Sequence, residues 1–122
     1  LIKRKSRKDQ RQIRHTRIKK KLKGSLAVPR LCVFKSSRHI YGQIIDDSRG
    51  KTVVAASSLT RKVREMIKDK KKVEVSAIVG KYIAQIALSK NIKTVCFDRG
   101  GYPFHGRIKS FAEAARESGL LF

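Results

Sequence analysis

The chain has 122 residues, 40% of them apolar and 33% charged, and its 31 Lys and Arg against 9 Asp and Glu give a formal net charge of +22. That length can hold one small hydrophobic core, its apolar share is too high for a wholly disordered chain, and no run approaches the roughly eighteen apolar residues of a membrane span. So large a positive charge calls for a polyanionic partner, nucleic acid before any other, and nothing in the sequence suggests a membrane, a small-molecule substrate, a cofactor or a metal.

The first twenty-four residues hold twelve of the basic residues: Lys3, Arg4, Lys5, Arg7, Lys8, Arg11, Arg14, Arg17, Lys19, Lys20, Lys21 and Lys23, with His15 among them and only Asp9 opposed. Their apolar residues, Ile13, Ile18 and Leu22, are too sparse for the stripe of a core-facing helix. Residues 1–24 are therefore expected to form a basic RNA-binding arm, frayed in water and helical at least when bound, ahead of a single α/β RNA-binding domain at 25–122. In a helix Arg4, Arg7, Arg11 and Arg14 would share one face. A solvated charge run that aids solubility or targeting is the plainer alternative.

Pro29 forces an extended entry into Arg30-Leu31-Cys32-Val33-Phe34, an apolar run of strand character. A second strand is expected over 39–45 and a third over 52–56, after the turn Asp46-Asp47-Ser48-Arg49-Gly50, which makes a three-strand antiparallel meander. Ser57-Ser58 offers an N-cap to a short helix marked by Leu59, Val63, Met66 and Ile67. After the break at Lys70-Lys71-Lys72, the residues Val75, Ile78, Val79, Tyr82, Ile83 and Ile86 mark a longer helix. Gly80 in it suits close packing, and Asn91 suits its C-terminal cap. Thr94-Val95-Cys96-Phe97 reads as a fourth strand, reached through helices and so parallel to its neighbour by a right-handed crossover. A last helix carries Ile108, Phe111, Ala112 and Ala115 and ends at Gly119. The fold class is α/β: a mixed four-stranded sheet, three strands antiparallel and one parallel, packed by about three helices. Cys32 and Cys96 sit in apolar runs with no metal-ligand spacing and read as buried, reduced thiols.

If the fourth strand is parallel to the first, the loops that follow both strands leave the sheet at the same edge. The first offers Lys35, Arg38 and His39 as charges, Ser36 and Ser37 as hydroxyls, and Tyr41 just behind as a stacking ring, and Arg30 at the start of the first strand is a further RNA-binding candidate. The second, Asp98-Arg99-Gly100-Gly101-Tyr102-Pro103-Phe104-His105-Gly106-Arg107, combines three glycines that permit close backbone approach with a helix N-terminus that favours phosphate. Tyr102, Phe104 and His105 are placed to stack on bases or pack under the loop, with Arg99, Arg107 and Lys109 around them. Ordinary packed turns remain the plainer alternative for both loops.

The run from Phe97 through Arg107, with Pro29-Arg30-Leu31-Cys32-Val33-Phe34, Arg38-His39-Ile40-Tyr41 and the ending Ala114-Ala115-Arg116-Glu117-Ser118-Gly119-Leu120-Leu121-Phe122, closely resembles ribosomal large-subunit protein eighteen of the bacterial type. The resemblance covers essentially the whole chain. It implies a structural component of the large ribosomal subunit that binds 5S rRNA and helps attach it to large-subunit rRNA in the central protuberance, beside other 5S-associated ribosomal proteins. Arg14-His15-Thr16-Arg17-Ile18 and Leu31-Cys32-Val33-Phe34 resemble plastid or cyanobacterial members, which turns the expected location toward a plastid ribosome over the bacterial cytoplasm.

Two rivals come from other function classes. A metal-dependent nuclease would place Asp46, Asp47 and Asp98 at strand ends with His39 or His105 nearby. The Asp46-Asp47 pair reads better as part of a turn, and Asp98 as a group that fixes the glycine loop or pairs with Arg99. A nonspecific nucleic-acid-compacting or membrane-surface protein would need the arm alone and would have little use for the glycine-aromatic loop.

Overall fold

A computed structural model of the protein describes residues 11–12 and 28–122. Strands β1 (Arg30–Lys35), β2 (Ile40–Asp46), β3 (Lys51–Ser57) and β4 (Cys96–Asp98) form one sheet in the order β3-β2-β1-β4. The pairs β1–β2 and β2–β3 are antiparallel, while β4 lies parallel to β1 with Arg30 opposite Cys96 and Cys32 opposite Asp98. Between β3 and β4 the chain runs through α1 (Arg61–Met66) and α2 (Lys72–Ser89), and it closes with α3 (Gly106–Glu117). Over residues 28–122 this is the expected mixed sheet with three helices.

Period-two alternation decides which sheet face is covered. Leu31, Val33, Ile40, Ile44, Val54 and Ala56 are buried and join Val79, Ile83, Ala84, Ile108 and Phe111 in one core, whereas Phe34, Gln43 and Ala55 on the opposite face are exposed. The helices grip each other closely. A Cβ built on Gly80 would lie 2.3 Å from the Phe111 carbonyl oxygen, so only glycine allows α2 and α3 to cross there. The C-terminal tail lies along the outer edge of β4. Val95 N–H donates to Leu121 O and Leu121 N–H to Lys93 O, covering an edge that would otherwise present unpaired backbone.

Three local expectations shift. The first helix starts after Thr60 instead of Ser57-Ser58, because Ser58 Oγ is taken up at the start of β2, accepting from Ile40 N and bonding His39 Nδ1. The fully buried row of α2 is Ser76, Val79, Gly80, Ile83, Ala84 and Ala87, with Val75, Ile78, Tyr82 and Ile86 only partly covered. Close approach of α3 favours the small residues. The fourth strand is Cys96–Asp98, and Thr94 makes an isolated bridge to Leu121. Asn91, with φ 63°, follows the C-cap Lys90, where a left-handed residue ends a helix. Cys32 and Cys96, expected to be buried, are half-buried thiols outside any disulfide.

Candidate RNA interface

Because β1 and β4 run parallel and adjacent, their C-terminal ends release the loops 36–39 and 99–105 side by side, and specific bonds tie the two together. Arg107, at the base of α3, donates through Nη1 to Ser36 O at 2.8 Å and through Nη2 to His39 O at 2.9 Å. The Tyr102 hydroxyl accepts from Lys35 N at 3.3 Å and donates to Lys35 O at 3.2 Å. The first loop is also closed on itself, since His39 N donates to Ser36 Oγ and Ser36 N to His39 O.

The second loop is set from beneath by Asp98. This fully buried carboxylate accepts from Gly100 N at 2.8 Å through Oδ1 and pairs with Arg30 Nη1 through Oδ2. Gly100 has φ 66°, and a Cβ there would lie 2.6 Å from Val33 O, so the loop's turn against β1 requires glycine. Arg30 completes its coordination on Asp47, Nε to Oδ2 at 3.0 Å and Nη2 to Oδ1 at 3.1 Å. Burial alone would lower its pKa, but the hydrogen bonds it donates to Asp47 and then Asp98 outweigh that and hold the guanidinium above its ordinary value.

Four of the candidate contacts are buried. Arg30 is 3% exposed and pairs with two carboxylates, and Tyr102 is 8% exposed with its hydroxyl on the Lys35 backbone. Gly100 and Gly101 are buried as well, and Arg107 is a clamp between the loops. The aromatics of the second loop part company. Tyr102 faces the first loop, 6.5 Å from the Phe34 ring, while Phe104 is 41% exposed and packs edge-on against Phe97 at 6.4 Å, over a cluster completed by Phe122. Arg99, Phe104, Arg116 and Phe122 line a shallow groove there.

The remaining candidates lie at the surface of the two loops and their flanks. Ser37, Arg38, His105 and Lys109 are exposed, and Lys35, Ser36, His39, Tyr41, Arg99 and Gly106 are half-buried. Among the described residues no ion pair engages Lys35, Arg38 or Arg99. The Lys35 ammonium, 5.3 Å from the Tyr102 ring centre, has its pKa lowered by burial and then by the neighbouring Arg107 charge. Phe34, 47% exposed and 5.8 Å from the Tyr41 ring, belongs to this surface and was not among the sequence candidates. Its position one residue after inward-facing Val33 was the available signal.

From the arm, Arg11 is described, and its Nη1 donates to Gly100 O at 2.9 Å. The arm candidates Lys3, Arg4, Arg7, Lys8, Arg14, His15, Arg17, Lys19, Lys20, Lys21 and Lys23 lie outside the described residues. The carboxylates named for a nuclease are engaged with internal partners: Asp46 accepts from Ser48 N in the β2–β3 turn, and Asp47 and Asp98 hold Arg30.

A small α/β domain whose loops at one end of the sheet carry hydroxyls, exposed rings and cations with no ion pair among the described residues fits an RNA-binding protein of the compact, basic kind. The comparisons say which. Residues 5–122 match the family model described as ribosomal L18 of archaea, bacteria, mitochondria and chloroplast. The chain is 52% identical over 122 residues to the large ribosomal subunit protein uL18 of Dictyoglomus turgidum, covering all of both chains. It is 52% identical to that of Thermotoga petrophila with the same coverage, and 51% identical to that of Caldicellulosiruptor saccharolyticus over all of this chain and 98% of the relative. The chain belongs to the ribosomal L18 family and is a structural, non-enzymatic protein of the large ribosomal subunit.

Proposed function

We propose that this protein binds 5S rRNA through the joined loops 35–39 and 99–109 and through its basic arm at 1–24, and that it helps attach that RNA to large-subunit rRNA in the central protuberance. The observation that carries the reading is the bonding of Arg107 to Ser36 and His39 and of Tyr102 to Lys35, which makes two loops from distant parts of the chain into one rigid surface. A rigid surface suits a folded RNA recognised by shape, with hydroxyls and phosphates as ligands. Ser37, Arg38, His39, Tyr41, Arg99, Phe104, His105 and Lys109 are the groups that meet RNA, and the arm neutralises phosphates of the same RNA or an adjoining one. Other 5S-associated ribosomal proteins are its expected neighbours. The similarity to bacterial relatives favours a ribosome in the bacterial cytoplasm over the plastid location expected from two short sequence runs.

The test is a competition titration of the full chain against 5S rRNA and a length-matched scrambled RNA at near-physiological salt. A preference of about a hundredfold, ~2.7 kcal/mol, is expected. Equal binding of both RNAs refutes selective recognition by the isolated protein. Neutralising one arm lysine should weaken both RNAs alike and flatten the salt slope by about one unit, whereas Phe104→Ala or Arg99→Ala should reduce the preference.

A further inference from the structure

Arg11 lies 89 positions before Gly100 in sequence, yet its guanidinium donates through Nη1 to the Gly100 carbonyl at 2.9 Å and sits 4.7 Å from the centre of the Tyr102 ring and 5.8 Å from that of Phe34. Bonds that do not involve Arg11 hold the loop around these partners. The Gly100 N–H is bonded to Asp98 and the residue turns at φ 66° against Val33 O, which sets the direction of the following peptide and its carbonyl; the Tyr102 hydroxyl is held by both backbone groups of Lys35; Phe34 lies on β1. The guanidinium therefore meets a ready-made seat of one carbonyl and two ring faces, chemistry that suits its planar, weakly hydrated cation.

We infer that Arg11 is a positioning residue that latches the arm to the glycine-aromatic loop, and that this, not phosphate neutralisation, is its contribution to RNA binding. The inference rests on the reading that arm and loops engage RNA together. The consequence follows from sequence: Arg11 lies inside the basic run of the arm, so seating it tethers that run to the loop at an interior point in addition to the chain's own connection. An unlatched arm still joins the domain through its own chain, but it must find the RNA from a wider volume, at a lower effective concentration.

The experiment compares the full chain with Arg11→Ala, Arg11→Lys and, as a phosphate-contact control, Lys20→Gln, each titrated with 5S rRNA and scrambled RNA over a salt series. NMR spectra of the RNA-free proteins record the Gly100 amide and the Tyr102 ring. For a latch, Arg11→Ala loses about tenfold in affinity with an unchanged salt slope, and Arg11→Lys does not restore it, because a lysine keeps the charge and loses the flat, forked contact. Both variants shift the Gly100 and Tyr102 signals before any RNA is added. Lys20→Gln instead lowers the salt slope by about one unit. A slope that falls by about one in Arg11→Ala and recovers in Arg11→Lys, with the Gly100 and Tyr102 signals unmoved, overturns the latch and makes Arg11 a phosphate ligand. Unchanged affinity together with unchanged signals also overturns it. If the parent chain fails to prefer 5S rRNA, the 5S assignment falls, and the RNA-free spectra still decide whether Arg11 is seated.

Discussion

Replacing Asp98 with alanine tests whether the second loop is built on a buried ion pair. The carboxylate is fully buried, and its two oxygens do separate work: Oδ2 holds Arg30, itself 3% exposed, and Oδ1 holds the Gly100 amide. Removing one partner of a buried pair costs about 3–5 kcal/mol, because the other charge is left without compensation. Here Asp47 remains bonded to Arg30 at 3.0 and 3.1 Å, and at 29% exposure it keeps that end of the guanidinium near water, which places the ionic share toward about 2 kcal/mol. The orphaned Gly100 amide adds about 1 kcal/mol. Asp98→Ala should therefore lose about 3 kcal/mol, on the order of 12–24 °C in Tm for a domain of this size.

Asp98→Asn keeps an acceptor for Gly100 and should lose less, about 2 kcal/mol, and Asp47→Ala about 1 kcal/mol because it is partly solvated. Urea unfolding followed by far-ultraviolet circular dichroism gives all three values. A loss below about 1 kcal/mol in Asp98→Ala would mean that Asp47 alone satisfies Arg30 and that the loop holds its shape without its carboxylate.

Gly80→Ala should destabilise by about 2 kcal/mol, since the new Cβ meets a backbone oxygen at 2.3 Å that no rotamer change can move, and this outweighs the ~1 kcal/mol gained in helix propensity; a rise in Tm refutes the close crossing of α2 and α3. Gly100→Ala combines φ 66° with a 2.6 Å approach to Val33 O and should cost about 2 kcal/mol while reducing the preference for 5S rRNA, read by unfolding and by competition titration. Lys35 supplies a pH dependence. Its folded pKa is lowered by burial and then by Arg107, so between that value and the ordinary lysine value of about 10.4 the unfolded chain holds more protons, and stability from this group rises with pH. The stability difference between Lys35→Met and the parent chain should accordingly shift in favour of the parent on going from pH 7 to about pH 10.5; a shift in favour of the variant refutes the lowered pKa.

The architecture was readable because its signals are local. Apolar runs bounded by turn residues marked four strands, and the helices between the third and fourth required a parallel return, from which the meeting of the two loops follows. Three features escaped for reasons that are not local. Arg30 looks like a surface cation at a strand start, and its burial depends on Asp47 and Asp98, 17 and 68 positions away. Tyr102 and Phe104 share one loop and one apparent role; what separates them is a hydroxyl within reach of the Lys35 backbone. In α2 Val79, Gly80 and Ile83 are buried as expected, but Ser76, Ala84 and Ala87 complete the row in place of Val75, Ile78, Tyr82 and Ile86, because small residues matter where another helix comes close.

The same separation has a consequence for binding. Among the described residues, cations that sequence alone would assign to RNA are divided by the fold into Arg30, which is paired with two carboxylates, Arg107, which is bonded to two backbone carbonyls, and those with no ion pair, Arg38 and Arg99 among them. Arg30, neutralised by Asp47 and Asp98, should add little to the salt dependence of binding, while its bonds and those of Arg107 hold the loops before RNA arrives. Ordering a side chain or loop at an interface costs about 0.5–1.5 kcal/mol per immobilised group, and loops already bonded to each other avoid much of that cost. Affinity that depends on salt should then map to the arm and the unpaired loop cations. Discrimination between RNAs should map to the internal bonds that fix their spacing, so a mutation at Arg107, which ties the first loop to the base of α3, is expected to blur selectivity more than it lowers charge-driven affinity.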